Sequence, residues 1–403
     1  MPPFPRPGRT RTQDRTGPVR RGYRPIILLA TATTVICGLI APPATAAGGD
    51  GQSTDALREQ LEQLVSAPGG PPGAIAVLQQ GKERHVLRAG VAEVGTDRKP
   101  RPTDHMRLAS TAKMFSGAVS LQLVDRGKLR LDDTIGKILP HLPEAWHKVT
   151  LRQLLQHTSG LPDFSQAPEF AATLTADPQR VIDSRRLLDF VAEEPLAFAP
   201  GTRYAYSNSD NIAVALMTEA VTGKRYEDLL AHLVYRPLDL RDTSLPKGSE
   251  MPEPYLHGYD VQPPGPPEDV SESYSMSYVW AAGGSVSTPA DLNRFIRGYA
   301  GGRLLSQPTR REQLTFVEGA NSSPPGPGAN AAGLAIFRYK TRCGTVYGHT
   351  GNTLGYTQLA VATADGRRSL TFSLTAQITE TTDPALFSRV RAVQEDFVCA
   401  LLA

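Results

Sequence analysis

The stretch Ser110-Thr111-Ala112-Lys113 carries a serine and a lysine three residues apart at the predicted start of a helix, which is expected to end at Asp125 or Arg126. Residues at this spacing lie on the same helix face. A serine hydroxyl is a weak nucleophile at neutral pH, but a neighbouring lysine can remove its proton if the pKa of that lysine is depressed. The stretch therefore indicates a nucleophile and its base.

Two further triplets, Tyr206-Ser207-Asn208 and His349-Thr350-Gly351, follow in the order that would complete an acyl-transfer site. Such a site also needs a proton donor and an oxyanion hole. The main-chain N–H of Ser110, at the positive end of its helix, supplies one oxyanion donor, and the N–H of Asn352 is the candidate for the second. Gly351 permits close approach of a substrate to the strand.

The first 46 residues differ from the rest of the chain. Seven arginines precede an apolar segment over residues 26–40, and Ala44-Thr45-Ala46 follows. This order predicts a signal peptide over residues 1–46 and a secreted mature protein without a stable membrane span. The alternative is a single transmembrane anchor, for which the apolar segment is short. Arg20-Arg21 loosely resembles a twin-arginine signal without deciding the export route.

Charge and cysteine content limit the possible partners. Removing the predicted leader takes away seven arginines and one aspartate, so the net charge changes from +3 to about −3 and leaves no basic face for nucleic acid. Cys343 and Cys399 remain and are expected to form a disulfide in an oxidising compartment, with two free thiols as the alternative. The histidines show no metal-ligand spacing, and neither a metal nor a cofactor is expected.

The order of patterns along the chain predicts an α+β fold. Helical periodicity at 57–65 and 384–402 and strand patterns near both ends point to an antiparallel sheet flanked by terminal helices. The sheet subdomain is expected to be discontinuous, over residues 47–127 and 275–403, with an all-helical subdomain over 128–274. Strands are predicted at 74–78, 84–94, 333–339, 346–349, 356–363 and 369–376.

The three motifs and their surroundings resemble a known family. The stretches that carry this resemblance are Leu154-Leu155-Gln156-His157-Thr158-Ser159-Gly160-Leu161-Pro162, Pro200-Gly201-Thr202 and Tyr347-Gly348-His349-Thr350-Gly351. Over roughly residues 55–400 the chain resembles the serine penicillin-recognising family, in the branch that holds class C β-lactamases and D-alanyl-D-alanine carboxypeptidases. This resemblance implies a β-lactamase/transpeptidase-like fold.

The resemblance also implies roles for the motif residues. Ser110 would be the acylated nucleophile, Lys113 would take its proton, and Tyr206 would pass a proton to the leaving nitrogen. Asn208 would bind the acyl side of the substrate and hold Lys113. His349 stands where many β-lactamases have lysine, which favours carboxypeptidase-like or esterase-like members.

The remaining candidates lie outside the catalytic trio. Thr350 and His349 would lie near a substrate carboxylate, with Gly351 and Asn352 beside the reacting carbonyl. Trp280 would line the cleft or fill the core, and Arg338 would bind a terminal carboxylate or point into solvent. The pair His157 and Ser159 imitates a catalytic pair, but the resemblance makes it a structural turn.

The sequence thus predicts a monomeric, exported serine D-alanyl-D-alanine carboxypeptidase or transpeptidase. Its substrates would be peptidoglycan stem peptides, and β-lactam molecules would acylate Ser110 and inhibit the enzyme or be slowly hydrolysed. The same site would also suit a β-lactamase, a D-aminopeptidase or an esterase, because the motifs do not encode the pocket shape. A penicillin-binding sensor without turnover is the alternative outside enzymes.

Overall fold

The computed structural model describes residues 53–403, so the predicted signal peptide lies outside the described residues. Eight strands form one antiparallel sheet in the order β2-β1-β12-β11-β10-β9-β8-β7, and four others form two small pairs, β3 with β6 and β4 with β5. The strands are β1 (Gly73–Gln80), β2 (Glu83–Gly90), β3 (Met106–Arg107), β4 (Tyr259–Asp260), β5 (Glu268–Asp269), β6 (Val286–Ser287), β7 (Val317–Glu318), β8 (Ala329–Ala332), β9 (Phe337–Thr341), β10 (Gly344–Thr353), β11 (Tyr356–Ala362) and β12 (Arg368–Leu374).

Helices cover both faces of this sheet. They are α1 (Thr54–Val65), α2 (Lys113–Asp125), α3 (Ile135–Ile138), α4 (Leu151–Leu155), α5 (Pro168–Ala176), α6 (Asn208–Thr222), α7 (Tyr226–Leu230), α8 (Arg236–Leu238), α9 (Trp280–Gly283), α10 (Pro289–Ala300), α11 (Gln307–Gln313) and α12 (Pro384–Leu402). Leu57, Ala76 and Phe397 belong to the core under α1 and α12, whereas Ile75 and Phe295 belong to the core on the α10 side. The alternation of Ile75 and Ala76 follows from the period of two in a strand.

The predicted antiparallel sheet built from both chain ends is confirmed. Strand β1 pairs with β12 from Ala74 opposite Leu374 to Gln80 opposite Arg368. Both terminal helices begin at residues whose side chains accept a main-chain N–H, since Ser53 caps α1 and Asp383 caps α12. No helix within residues 53–403 combines the length and apolar character that a bilayer span requires.

The strand predicted over 333–339 is wrong in its first half. Its main chain turns away after β8, and β9 begins only at Phe337. The N–H of Leu334 bonds to the oxygen of Gln313 and the N–H of Ala335 to the oxygen of Leu155, so neither is available to a sheet ladder. Ala335 also has a left-handed backbone, φ 51°. These tertiary hydrogen bonds leave no signal in the local sequence.

The region 128–274 contains α3 to α8, and its description as all-helical needs one correction. The two-residue strands β4 and β5 pair within it, with Tyr259 opposite Asp269. The subdomain boundaries at 127/128 and 274/275 stay a prediction. The predicted disulfide is present: Cys343, in the turn between β9 and β10, is bonded to Cys399 on α12, with their Cα atoms 5.1 Å apart.

Candidate active site

Ser110 lies in a single 3₁₀ turn, Ala109–Ala112, that leads directly into α2. Ala109 has φ 50°, a left-handed backbone that costs a non-glycine residue about 1–3 kcal/mol and is typical of functional sites. The first N–H groups of a helix have no partner inside it, so they are available to an anionic oxygen. The turn therefore presents Ser110 to a cavity with its main-chain N–H at the positive helix end.

Lys113 is 1% exposed, and its amine makes three close contacts. Nζ lies 3.1 Å from Oγ of Ser110, 2.7 Å from Oδ1 of Asn208 and 2.6 Å from the carbonyl oxygen of Ala282. Burial lowers the pKa of Lys113 to about 7, although the charges of Asp163 and Asp210 act in the opposite direction. A neutral amine has two N–H groups, and the two acceptors occupy both. Its lone pair is then left for the hydroxyl of Ser110.

Asn208, the first residue of α6, is held from its other side by Asp163. Oδ2 of Asp163 accepts hydrogen bonds from the main-chain N–H of Asn208 at 3.1 Å and from its Nδ2 at 3.0 Å. The second oxygen of Asp163 accepts from the N–H and the hydroxyl of Ser165. Asp163 thus fixes the amide so that its oxygen faces Lys113. Asp163 belongs to none of the three motifs, and its position directly after Leu161-Pro162 is the one signal in the sequence that could have identified it.

The ring of Tyr206 faces the amine of Lys113. Nζ of Lys113 is 5.1 Å from the centroid of the Tyr206 ring, and the imidazole of His157 lies against that ring with the centroids 4.4 Å apart and the planes tilted by 32°. Burial raises the pKa of Tyr206, and the nearby hydroxyl of Ser110 only partly offsets this. The phenol is therefore protonated at neutral pH and suited to donate its proton.

His157 and Ser159 do not form a catalytic pair. Both bind the buried carboxylate of Asp210, with Nδ1 of His157 at 2.8 Å and Oγ of Ser159 at 2.5 Å. All three residues are at most 3% exposed. They form a buried polar support beneath Tyr206, in agreement with the structural turn expected from the sequence.

The third motif lies on a strand with one open edge. Strand β9 pairs with β10 only as far as Gly348 opposite Phe337, whereas β11 pairs with β10 through Thr353. The segment His349–Thr353 therefore has a strand partner on one side only. Such an edge can receive an extended substrate through main-chain hydrogen bonds.

Gly351 allows this strand to approach the Ser110 turn. A Cβ atom there would lie 2.6 Å from the oxygen of Leu108 and 3.2 Å from a methyl carbon of Thr111. Asn352 anchors the same strand, because its Nδ2 donates to the oxygen of Ile378 at 2.6 Å. The hydroxyl of Thr350 donates to the oxygen of Pro324 at 2.6 Å.

His349 is fully buried and uncharged at neutral pH. Burial and the nearby Lys113 lower the pKa of His349 to about 3. Its Nδ1 lies 2.5 Å from the oxygen of Thr350, and its Nε2 has no hydrogen-bond partner within the described residues. The ring lies between Phe337 and Tyr206, at centroid distances of 4.9 and 6.2 Å. His349 can therefore act as a neutral hydrogen-bonding group and not as a fixed cation.

A cavity of about 520 Å³ opens above these groups. Predicted site residues in its lining are Ser110, Tyr206, Asn208 and Asn352, while Lys113 lies fully buried and hydrogen-bonded to Ser110. Residues that the sequence analysis did not select also line it, namely Asp163, Phe164, Ser165, Gln166, Tyr274, Val279, Ala282, Gly283, Ser323, Pro324, Thr353, Gln377 and Thr379, besides Ala109. Asp163 is the single charged side chain in this lining of the described chain.

Five predicted substrate-binding residues are not part of this lining, namely His349, Thr350 and Gly351 on β10, and also Trp280 and Arg338. The ring of Trp280 is directed into the helical region, where Nε1 donates to Oε1 of Glu227 at 3.1 Å. The guanidinium of Arg338 binds the carboxylate of Glu318 at 2.6 and 2.7 Å. The inward position on β9 belongs to the neighbouring Phe337, which is 2% exposed. Among clusters of His, Cys, Asp and Glu in residues 53–403, none has the arrangement to hold a metal ion.

Comparison with known proteins identifies the family. The model of the beta-lactamase family matches residues 57–395, most of the chain. The chain belongs to the beta-lactamase family. Together with the antiparallel sheet and the Ser110–Lys113 pair, this membership makes it a serine hydrolase of the β-lactamase fold, related to the penicillin-recognising enzymes.

The chain is similar to a penicillin-binding protein and to two amide hydrolases. Penicillin-binding protein 4* of Bacillus subtilis is 26% identical over 313 residues, which cover 74% of this chain and 67% of that protein. A D-stereospecific amidohydrolase from Streptomyces is 30% identical, with a TM-score of 0.73, and the match covers 84% of this chain and 98% of that one. A D-amino acid amidase from Ochrobactrum anthropi has a TM-score of 0.73 at 24% identity, covering 85% and 98% of the two chains, which shows a common fold.

Proposed function

We propose that this protein hydrolyses the amide bond of D-amino-acid amides through an acyl-enzyme on Ser110. The observation that carries the acyl-enzyme chemistry is the arrangement around Lys113. Its amine lies 3.1 Å from Oγ of Ser110 while Asn208 and Ala282 occupy its two other directions. This geometry directs the lone pair of a neutral amine at the serine proton.

The reaction balances with these groups. Oγ of Ser110 attacks the amide carbon as its proton moves to Nζ of Lys113, and the carbonyl oxygen gains a negative charge beside the N–H groups of Ser110 and Asn352. The C–N bond then breaks as Tyr206 gives its proton to the leaving nitrogen, and the ammonium of Lys113 reprotonates Tyr206. Water hydrolyses the ester by the same proton route in reverse.

The lining of the cavity supports an amino-acid amide as substrate. Asp163 contributes a carboxylate that attracts a free α-ammonium. Burial keeps His349 uncharged, so this residue offers no fixed cation to a terminal carboxylate, which an amide lacks. A groove of about 530 Å³ adjoins the cavity and shares Tyr274, Val279, Thr353 and Gln377 with it. Phe170, Leu174, Tyr278 and Leu354 make the groove apolar, so it suits a large apolar side chain. The D configuration is proposed from the likeness to the D-stereospecific amidohydrolase of Streptomyces, which is 30% identical.

The second candidate is the D-alanyl-D-alanine carboxypeptidase expected from the sequence. The penicillin-binding relative and the open edge of β10 favour it, because an extended peptide can pair with His349–Thr353. In this form the protein would be exported through its predicted leader and act on peptidoglycan. A β-lactam would acylate Ser110 in either case.

One set of assays separates the candidates. Purified protein lacking residues 1–46 is incubated with D-phenylalanine amide, L-phenylalanine amide, N-acetyl-D-phenylalanine amide and a peptide ending in D-Ala-D-Ala. The amidase predicts release of ammonia from the free D-amide and at least about 10-fold slower hydrolysis of the acetylated one, which has no ammonium for Asp163. Release of D-alanine without amide hydrolysis would select the carboxypeptidase. Absence of any Ser110-dependent turnover would refute both.

A further inference from the structure

Trp280 occupies an unusual main-chain position beside the catalytic lysine. Its φ is 34°, in the left-handed region, and its side chain is 3% exposed. Such a backbone persists only where surrounding contacts enforce it. The next residues, Ala282 and Gly283, line the cavity, and the oxygen of Ala282 accepts the hydrogen bond from Lys113. The ring of Trp280 points away from the cavity, whereas the turn that follows it forms part of the cavity wall.

Three contacts fix the indole ring. Its Nε1 donates to Oε1 of Glu227 at 3.1 Å, the guanidinium of Arg185 lies 5.0 Å from the ring centroid, and Tyr226 meets the ring edge-on at 5.4 Å. Edge-on aromatic contacts and cation–π contacts both favour one fixed position of the ring. Together they anchor the first residue of α9 to α7.

The anchor is itself connected to the helix that carries Asn208. Arg185 binds Glu227 at 3.2 Å and makes two hydrogen bonds to Glu219, at 2.8 and 2.5 Å. Glu219 lies on α6, whose first residue is Asn208. The two groups that accept hydrogen bonds from Lys113 are therefore connected through one partly buried ionic cluster behind the cavity.

We infer that Trp280 and Glu227 are positioning residues, which hold the carbonyl of Ala282 against Lys113 and so aim the lysine lone pair at Ser110. This role rests on the proposed acyl-enzyme chemistry at the same site. Trp280 touches neither Ser110 nor the cavity, so it acts only through α9. Loss of the Glu227 contact releases the turn, and the amine loses one of its two fixed acceptors.

The direction of the effect follows from the hydrogen bond. A carbonyl acceptor favours the ammonium form of lysine, so a displaced Ala282 lowers the pKa of Lys113. The same displacement leaves the lone pair poorly aimed, and small misplacements of reacting groups cost up to about 100-fold in rate. Trp280→Phe should therefore shift the acid limb of the acylation profile to lower pH while reducing its plateau between about 10-fold and 100-fold.

The chain offers a matched control in Trp146, its other tryptophan. Trp146 is fully buried, and its indole nitrogen has no partner within the described residues. Trp146→Phe removes an indole of the same size from the core without touching α9. Acylation of Ser110 by penicillin as the probe, in which the opened β-lactam ring remains as an ester on the serine, is followed by intact mass across pH 5–9 and gives the profile. Thermal unfolding gives the stability of each variant.

An altered profile in Trp280→Phe with an unaltered one in Trp146→Phe supports the inference, whereas equal profiles overturn it even if both variants lose stability. Glu227→Gln repeats the test if Trp280→Phe fails to fold. A second measurement needs no activity: in a Ser110→Ala background, ¹⁵N NMR titration of the Lys113 amine should move with Trp280→Phe and not with Trp146→Phe. Failure of the probe to label the wild type would refute the proposed function, and the titration would still decide the inference.

Discussion

Asp163 accepts hydrogen bonds from both the main-chain N–H and the side-chain Nδ2 of Asn208, at 3.1 and 3.0 Å. The amide of Asn208 consequently has one orientation, with its oxygen toward Lys113 at 2.7 Å. An aspartate outside the three motifs thus determines how the second motif meets the first.

Replacing Asp163 should alter catalysis in a defined direction. Its negative charge raises the pKa of Lys113, so Asp163→Asn should move the acid limb of the acylation profile to lower pH. The plateau should fall as well, because an asparagine cannot accept all the N–H groups that meet Asp163. Stopped-flow acylation across pH 5–9 measures both effects. Glu169→Gln, an exposed charge loss on α5, should leave the profile unchanged, and an unmoved limb in Asp163→Asn would contradict the assignment.

The wild-type profile itself is predictable. Burial lowers the pKa of Lys113 to about 7, and only the neutral amine accepts the serine proton, so acylation should rise with pH through about 7 and level off above it. His349, whose pKa is lowered to about 3, stays neutral across this range. The variant His349→Gln should therefore keep this acid limb, the rise of the acylation rate through about pH 7. A limb that disappears in this variant would assign it to the imidazole instead.

Variants of Ser110 and Lys113 should lose acylation and keep the fold. Ser110→Ala should abolish mass addition by penicillin, because no oxygen remains to form the ester. Lys113→Ala should slow addition by about 100-fold or more, the usual contribution of a general base. Intact-mass time courses measure both, and circular dichroism checks the fold. Persistent labelling of Ser110→Ala would place the nucleophile elsewhere.

Gly351 should tolerate no side chain. In Gly351→Ala the new methyl group would lie 2.6 Å from the oxygen of Leu108, so β10 must move away from the Ser110 turn. We expect a loss of about 1–3 kcal/mol in the free energy of unfolding, together with reduced acylation. Urea unfolding and probe labelling measure these. Gly265→Ala, in a loop where the new methyl group would lie 3.2 Å from the oxygen of Gln262, is the milder control. It should lose less stability than Gly351→Ala and keep the wild-type acylation.

The disulfide should contribute to stability and not to chemistry. Cys343 and Cys399 are 56 residues apart, and closing a loop of this length restricts the unfolded chain by about 3–4 kcal/mol. The double variant Cys343→Ser/Cys399→Ser should unfold at lower urea concentration and still acylate at the wild-type rate at 25 °C. A large loss of acylation in folded protein would show that the bond also shapes the cavity.

The sequence predicted those parts of the fold that depend on local periodicity. Helices α1 and α12 follow from helical periodicity, and the antiparallel sheet built from both chain ends follows from the strand patterns there. The break before Phe337 could not be predicted, because it depends on hydrogen bonds from Leu334 and Ala335 to residues remote in the chain.

The candidate site, like the fold, was predictable from the sequence only in part. Ser110, Tyr206 and Asn208 were recognisable from motifs and line one cavity. The contribution of Ala282 is a main-chain oxygen, which no residue type can signal. Trp280 was expected to face the cavity or the core, and its preference for the core depends on Glu227, more than 50 positions earlier.

Strand β1 pairs on one edge with β2 and on the other with β12. Strand β12, the last of the sheet to be synthesised, therefore lies between β1 and β11 and joins the two parts of the sheet. During biosynthesis the Ser110 turn emerges long before β10 supplies its facing edge. Premature termination between Lys113 and the start of β12 at Arg368 leaves a polypeptide that contains the nucleophile and its base but lacks the strand between β1 and β11. We therefore expect hydrolytic activity only in chains that include β12.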